Sequence, residues 1–592
     1  EQQIFRWDDI VPSESLEYTP CFSSFLCARL SVPLNWNATT TPTASNDEPE
    51  EAETRVAVAI IKLPAKVPVT DPQYGGPIIV NPGGPGESGI YQVLSDGESL
   101  QALVDSEGSD ITLSNSEVQF PKHFDILSFD PRGANNTTPR LRCFPDAFSQ
   151  QVWQLQSPDY GLLWHSESII GMDWGRAAAL GASCSHGRDH DAENIVPYLN
   201  TAQTVEDMLQ IVEKEGEWRE QEARRLMTGE RPRTGNSIGS EEDGEIIKRV
   251  AYRPSEEKIK YWGMSYGTLL GATFAAMHPD RVGRMILDGV VDPADHYSGR
   301  WLTQLQDSDQ IVSKFCEYCF QAGPEKCPIY TGSSPADVEA RFTSILYHLK
   351  ENPIAVSPLR SDGISSPEMV TYNDVHLRLL SGLYFPFTMA ENFFSLLLAL
   401  ESRNSSSRDL VTMVSGKQAL LTPSGCQQND EESSELNVPY VSGVGAFQAI
   451  SCMDIGGPLN LTRQDFRDYL AELLGQSQWI GPSWARNKLA CEGFTVTPVW
   501  KPALKFETQE WANTSHPLLI IGNSHDTVTP LRNARRVSRE LFPGSAVLHQ
   551  DSEGHCSHSS PSLCTARAIR EYFQTGLVPE EGTVCEPEMK PF

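Results

Sequence analysis

Two stretches of this 592-residue chain carry a serine between glycines in the pattern Gly-x-Ser-x-Gly, and their surroundings differ. Gly263-Met-Ser265-Tyr-Gly267 follows the apolar run Ile259-Lys-Tyr-Trp262 and leads into Thr268-Leu-Leu-Gly-Ala272. That context predicts a strand, a tight turn and a helix, the setting a nucleophilic serine needs. The glycines admit close backbone approach, and the helix start aims N–H groups and a positive dipole end at the reacting oxygen. Gly235-Asn-Ser237-Ile-Gly239 sits among Pro232, Thr234 and Glu241, with no strand before it, and reads as a chance match in a loop.

A serine hydroxyl is a poor nucleophile near neutral pH unless a base, itself oriented by a carboxylate, takes its proton. With the serine on such a turn, the acid and then the histidine are expected further along the chain. The apolar run Leu518–Ile521 leads through Gly522-Asn-Ser-His to Asp526, the expected acid. Asp288, after Arg284–Leu287, is the alternative, with a turn or capping role if it is not the acid. His555 in Asp551-Ser-Glu-Gly-His555 is the expected base, because it follows the last strand-like run, Ser545–His549. Its rivals are His558, His549 within the strand, and His525 beside the acid. An oxyanion developing on the substrate needs two converging N–H donors. One is expected at Tyr266, and the other in the turn Asn81–Gly89, where Gly83 and Gly84 expose the backbone and the prolines fix its shape without donating. This chemistry requires no metal and no organic cofactor.

Such residues need a scaffold. Short apolar runs at Val56–Leu63, Pro77–Val80, His123–Phe129, Ile259–Trp262, Arg284–Leu287, Pro517–Ile521 and Ser545–His549 alternate with helical stretches. The pattern predicts an α/β protein with a mostly parallel sheet flanked by helices. It lapses from about Tyr297 to Trp500, where helical stretches such as Val338–Leu349 and Ala390–Leu400 predominate. Three parts are therefore expected: residues 1–296 as the first part of a sheet core, 297–500 as a large helical lid, and 501–592 as the rest of the core. Thr39–Thr54, Thr228–Gly244 and Gln427–Ser434 are polar and read as exposed loops.

The formal charge of −31 and pI near 4.8 argue against nucleic acid or an anionic membrane as partner. No apolar run approaches the roughly 18–20 residues of a membrane helix. Thirteen cysteines, several close in sequence (Cys21 with Cys27, Cys316 and Cys319 with Cys327, Cys556 with Cys564), point to disulfides and an oxidising compartment. Cys316-Glu-Tyr-Cys319 lacks the second pair a zinc site needs, and an odd total leaves at least one thiol outside an intrachain bond. Sequons at Asn37, Asn135, Asn136, Asn404, Asn460 and Asn513 predict N-linked glycans. With a start at Glu1 rather than Met, these features lead us to expect a secreted protein whose signal peptide has been removed.

Taken together, Pro82-Gly-Gly-Pro-Gly86, Phe129-Asp-Pro-Arg-Gly133, Gly263-Met-Ser-Tyr-Gly-Thr268, Leu287-Asp-Gly-Val290, Asp526-Thr-Val-Thr-Pro530 and Gly554-His-Cys556 resemble the tripeptidyl aminopeptidase and proline iminopeptidase family of secreted α/β-hydrolases. The resemblance implies the α/β-hydrolase fold, acyl transfer to water, and a nucleophile, acid, base and oxyanion glycine at Ser265, Asp526, His555 and Gly84. The chain departs from the iminopeptidases in having Pro82 where they carry histidine, and in its larger lid. The implied substrate is a peptide with a free N-terminus. A buried carboxylate is the natural partner for that ammonium, with Glu87 and Asp454 the candidates. The competing expectation is a carboxylesterase or lipase-like enzyme acting on small esters with the same residues.

Overall fold

The computed structural model describes residues 5–38, 54–105, 121–159, 166–187, 192–229, 241–356, 367–403, 407–421, 444–502, 504, 506 and 513–592. The strands are β1 (Thr19–Cys21), β2 (Phe25–Pro33), β3 (Arg55–Leu63), β4 (Tyr74–Asn81), β5 (His123–Phe129), β6 (Ile259–Met264), β7 (Val282–Asp288), β8 (Ile354–Val356), β9 (Glu368–Val370), β10 (Leu519–His525), β11 (Ala546–Glu553) and β12 (Val584–Cys585). Ten of them form one sheet in the order β1-β2-β3-β5-β4-β6-β7-β10-β11-β12. From β5 to β12 every neighbour pair is parallel, while β1, β2 and β3 close the other edge antiparallel.

Continuous apolar runs form the central strands because helices cover both faces, so alternate residues go to opposite cores rather than to water. In β4, Ile78 and Val80 pack with Phe124, Trp262, Tyr572 and Phe573 on one face. Ile79 between them packs with Leu127, Tyr261, Leu270 and Leu287 on the other. The helices between β7 and β10 bury a third cluster of their own, centred on Phe315, Phe342, Phe394 and Phe466.

Several features went unread in the sequence. Strands β1 and β2, the small antiparallel pair β8–β9 and the helices Ala147–Asp159 and Glu167–His186 are all present. The polar stretch after Thr228 contains the start of a helix, Glu241–Val250. Ser237 and its flanking glycines, the loop Gln427–Ser434, most of Thr39–Thr54 and the sequon at Asn404 lie outside the described residues.

Disulfides join Cys21–Cys27, Cys143–Cys184, Cys319–Cys327, Cys452–Cys491 and Cys564–Cys585. Proximity in sequence misleads at Cys556: Cys564 pairs across the C-terminal segment with Cys585, and both Cys556 and Cys316 are buried free thiols. Asn37, Asn460 and Asn513 are exposed, but the sequon at Asn136 is not available in the folded chain. Its side chain is buried, and its amide nitrogen donates to Asp130 Oδ2 at 2.8 Å.

Candidate active site

Ser265 sits between β6 and the helix Tyr266–Met277 with φ 55° and ψ −125°, a left-handed conformation that costs a non-glycine residue of order 1–3 kcal/mol. Its neighbours hold it there. The Ser265 amide donates to the Asp288 carbonyl at 3.0 Å, and its carbonyl accepts from Thr268 N and Oγ1. The flanking glycines are required: a Cβ at residue 263 would lie 2.3 Å from the Gly267 carbonyl, and one at residue 267 would lie 2.8 Å from the Asn81 carbonyl.

The turn after β4 lies directly against this elbow. Gly83 and Gly84 have φ near +100°, and a Cβ at residue 83 would stand 2.9 Å from Ser265 Cβ and 3.0 Å from Tyr266 N. The Gly83 N–H is engaged by Asn81 Oδ1 at 3.1 Å. No acceptor among the described residues takes the N–H of Gly84 or of Tyr266. Asp130 anchors the turn from behind. Its carboxylate accepts from Ser88 Oγ at 2.6 Å, from Ile90 N, and from the backbone and side chain of Asn136. Arg132 braces the same loop with a bidentate pair to Asp207 (2.6 and 2.8 Å) and bonds to the carbonyls of Leu34 and Pro33. The Asp-Pro-Arg-Gly motif is therefore architectural, holding the end of β5 beside the turn.

Asp526, fully buried after β10, faces His555 in the loop after β11. His555 Nδ1 stands 2.9 and 3.2 Å from the two Asp526 oxygens, which also accept from the N–H groups of Val528, Thr529 and Cys556. Burial works to raise the Asp526 carboxyl, but the imidazole charge and these hydrogen bonds overcome it and hold it below the usual range. Burial likewise works to lower the imidazole, and Asp526 overrides it, so His555 stands above an ordinary histidine. With Nδ1 occupied, Nε2 is the nitrogen left for proton transfer.

The loop itself is pinned. Asn523 Nδ2 donates to the carbonyls of Gly554 and Cys556 at 2.8 and 2.7 Å, and His555 N donates to the Tyr384 carbonyl at 3.0 Å. The Tyr384 ring meets the imidazole edge-on at 4.8 Å.

The alternative acid has another task. The Asp288 carboxylate accepts from Ser557 N at 2.8 Å, from Ser557 Oγ at 2.5 Å and from Trp262 Nε1, not from an imidazole. Its carbonyl accepts from both Ser265 N and Cys556 Sγ, so one residue ties the elbow to the histidine loop. Of the rival histidines, His549 lies within β11 with Nε2 at Ser524 Oγ, and His525 lies at the end of β10. His558 is exposed in the short turn after the loop, beside Phe385. Donor atoms of Asp526, His555 and Cys556 fall within 4.8 Å of one another. The carboxylate is already committed to four N–H donors, however, and burial pushes the thiol well up, which suits a proton relay rather than a metal.

Ser265 opens onto a cavity of about 440 Å³, walled by Gly84, Glu87, Val291, Trp301, Tyr384, Phe447, Trp484 and Val528, with Gln304, Gln448 and Asn487 as polar points. Glu87 is its only carboxylate and has no ion-pair or hydrogen-bond partner among the described residues. Glu87 is exposed, not buried as an anchor was expected to be; desolvation by the surrounding protein still raises its carboxyl, with the His555 charge pulling the other way. The other proposed anchor is elsewhere. Asp454 is buried behind the wall, and its oxygens accept from Thr201 N and Oγ1 at 2.7 Å each and lie 3.0 Å from His296 Nε2. It positions His296, which lines the cavity, instead of facing a substrate. Thr201 and His296 lie 253 and 158 residues away in the chain, so no local signal exposed this pairing.

Comparison with known proteins agrees with this architecture. The description "alpha/beta hydrolase fold" matches residues 76–323, and "TAP-like protein" matches residues 477–585. The chain is similar to serine protease Hip1 of Mycobacterium tuberculosis, 23% identical over 97% of this chain and 91% of that protein. It is also 23% identical to carboxylesterase B of M. tuberculosis over 95% of this chain and 86% of that one. Tripeptidyl aminopeptidase of Streptomyces lividans is 21% identical over 87% of this chain and 78% of that protein.

Proposed function

We propose that this chain, whose fold matches the α/β-hydrolase description and whose C-terminal part matches the TAP-like one, is a serine peptidase like the relatives it resembles, and more closely an aminopeptidase that releases short peptides or residues from free N-termini. In this reading Ser265 attacks the scissile carbonyl while His555 Nε2 takes its proton. Asp526 holds the imidazole in the required tautomer and stabilises its charge. The Gly84 and Tyr266 N–H groups receive the oxyanion. His555 then protonates the leaving amine, and water repeats the cycle on the acyl-enzyme. We further propose that the enzyme works in an oxidising, extracellular setting, a reading that five disulfides support.

The observation that carries the aminopeptidase reading is the unpartnered Glu87 carboxylate, two residues past the Gly84-Pro85 step and in the same cavity as Ser265. A substrate ammonium supplies the cation it lacks. The second reading, ester hydrolysis, has its own support in the aromatic cavity wall and the carboxylesterase B relative. A matched panel separates them: free-N-terminus tripeptidyl, dipeptidyl and prolyl p-nitroanilides, their N-acetylated forms and short p-nitrophenyl esters, with Ser265→Ala as the blank. Amide turnover that disappears on acetylation establishes the aminopeptidase. Ester turnover without amide turnover at any pH from acid to neutral makes the protein an esterase.

A further inference from the structure

A second cavity, of about 580 Å³, lies at the opposite end of the parallel strands from Ser265. Its walls are the N-terminal ends of β4 and β6, the helix Thr201–Gly229 and the end of the helix Glu241–Val250. Both strands are irregular there, with register shifts between Tyr74 and Gly76 in β4 and between Ile259 and Lys260 in β6. Such shifts re-aim side chains. The Lys260 ammonium is brought to 3.4 Å from where a Cβ on Gly76 would sit, and Gly76 has φ +79°.

The charges around this space do not balance. Glu257 is taken by Arg219 at 2.8 Å and Glu215 by Lys62 at 2.7 Å, while Arg281 is paired with Glu213 outside the lining. Lys260, Lys248 and Lys258 have no ion-pair or hydrogen-bond partner among the described residues, and Arg249 donates to the Thr70 carbonyl. Asp280 is the one acid on the lining that stands against them without a cation of its own. In a chain with a formal charge of −31, a concave surface with uncompensated positive charge runs against the composition.

We propose that this cavity binds a small polyanion carrying phosphate- or sulfate-type groups, with Lys260 at its base and Lys248, Arg249 and Lys258 at its rim. Burial, then the charges of Arg284 and Arg219, bring Lys260 down to about 8, with Glu257 and Asp125 pulling the other way. The site is independent of the peptidase reading, since none of its residues lines the Ser265 cavity.

The test is calorimetric titration of inorganic pyrophosphate, and separately of sulfate, into the wild-type protein at ~20 mM ionic strength, where surface charge is weakly screened. Saturable binding is expected, weakened about tenfold or more by Lys260→Met and unchanged by Ser265→Ala. Lys248→Glu with Lys258→Glu, both on exposed positions, weakens it similarly without touching either strand interior. Tighter binding of pyrophosphate marks a phosphate-type ligand, and tighter binding of sulfate a sulfated one. Absence of saturable binding to either anion, or binding undiminished in both variants, overturns the proposal.

Discussion

Two buried aspartates stand near His555, and replacing each by asparagine assigns their roles. In Asp526→Asn the side chain keeps its shape but loses the charge that overrides burial of the imidazole. An amide NH₂ must then face either His555 Nδ1 or the N–H groups of Val528, Thr529 and Cys556, all of which now point at a carboxylate. Loss of the orienting carboxylate in a serine hydrolase costs about 10⁴ in kcat, roughly 5.4 kcal/mol at 1.36 kcal/mol per decade. In Asp288→Asn the imidazole keeps its partner. The donors left facing an NH₂ are Ser557 N, or else Ser557 Oγ and Trp262 Nε1, at a cost of about 1–3 kcal/mol that falls mainly on stability. The assay is turnover of the best substrate from the panel between pH 4 and 9, with denaturant unfolding of each variant. Wild type should gain activity as pH rises through a value above 6.5, because activity needs neutral His555 and its pKa is raised. In Asp526→Asn the residual activity should titrate at lower pH. A 10⁴-fold loss in Asp288→Asn at wild-type stability, with Asp526→Asn active, would refute the assignment and exchange the two roles.

Other consequences are open to simpler measurements. Gly83→Ala should lose at least about 10²-fold in kcat, because its Cβ would lie within 3.0 Å of Met264 O, Ser265 Cβ and Tyr266 N. Fluorophosphonate labelling of Ser265 would slow in parallel. Glu87→Gln should raise KM about tenfold or more for free-N-terminus peptides and spare N-acetylated amides and esters; equal loss on both classes would remove it as the ammonium anchor. Arg132→Met leaves Asp207 as a buried uncompensated charge and should destabilise the fold by about 3–5 kcal/mol in chemical denaturation.

What the sequence disclosed was what local chemistry encodes. The runs that became β4, β5, β6, β7, β10 and the start of β11 were legible because the inner part of a strand covered on both faces is mostly apolar. The proposed nucleophile Ser265 stood out because its turn demands glycine on both sides, and the proposed acid Asp526 and base His555 because each follows such a strand. β2 escaped notice: Phe25–Pro33 has Arg29 and Ser31 in it, and its pairing with β3 is a tertiary fact. Asp454 looked available as an anchor, and only the folded chain brings Thr201 and His296 to it. Cys556 looked like a partner for Cys564, yet its thiol points to the Asp288 carbonyl, inside the bridge between elbow and histidine loop.

The way the helical segment grips the histidine loop also limits how the cavity can be entered. The Tyr384 carbonyl holds the His555 amide, the Leu383 carbonyl accepts from Thr527 Oγ1 at 2.6 Å, and Ser308 Oγ donates to the Thr527 carbonyl at 2.6 Å. Pro386 sits where any Cβ on Gly554 would have to go. These helices are thus an interlock rather than a door. Lifting them away would release the backbone beside Asp526 and at His555, so under the proposed mechanism a gaping enzyme would also be a disarmed one.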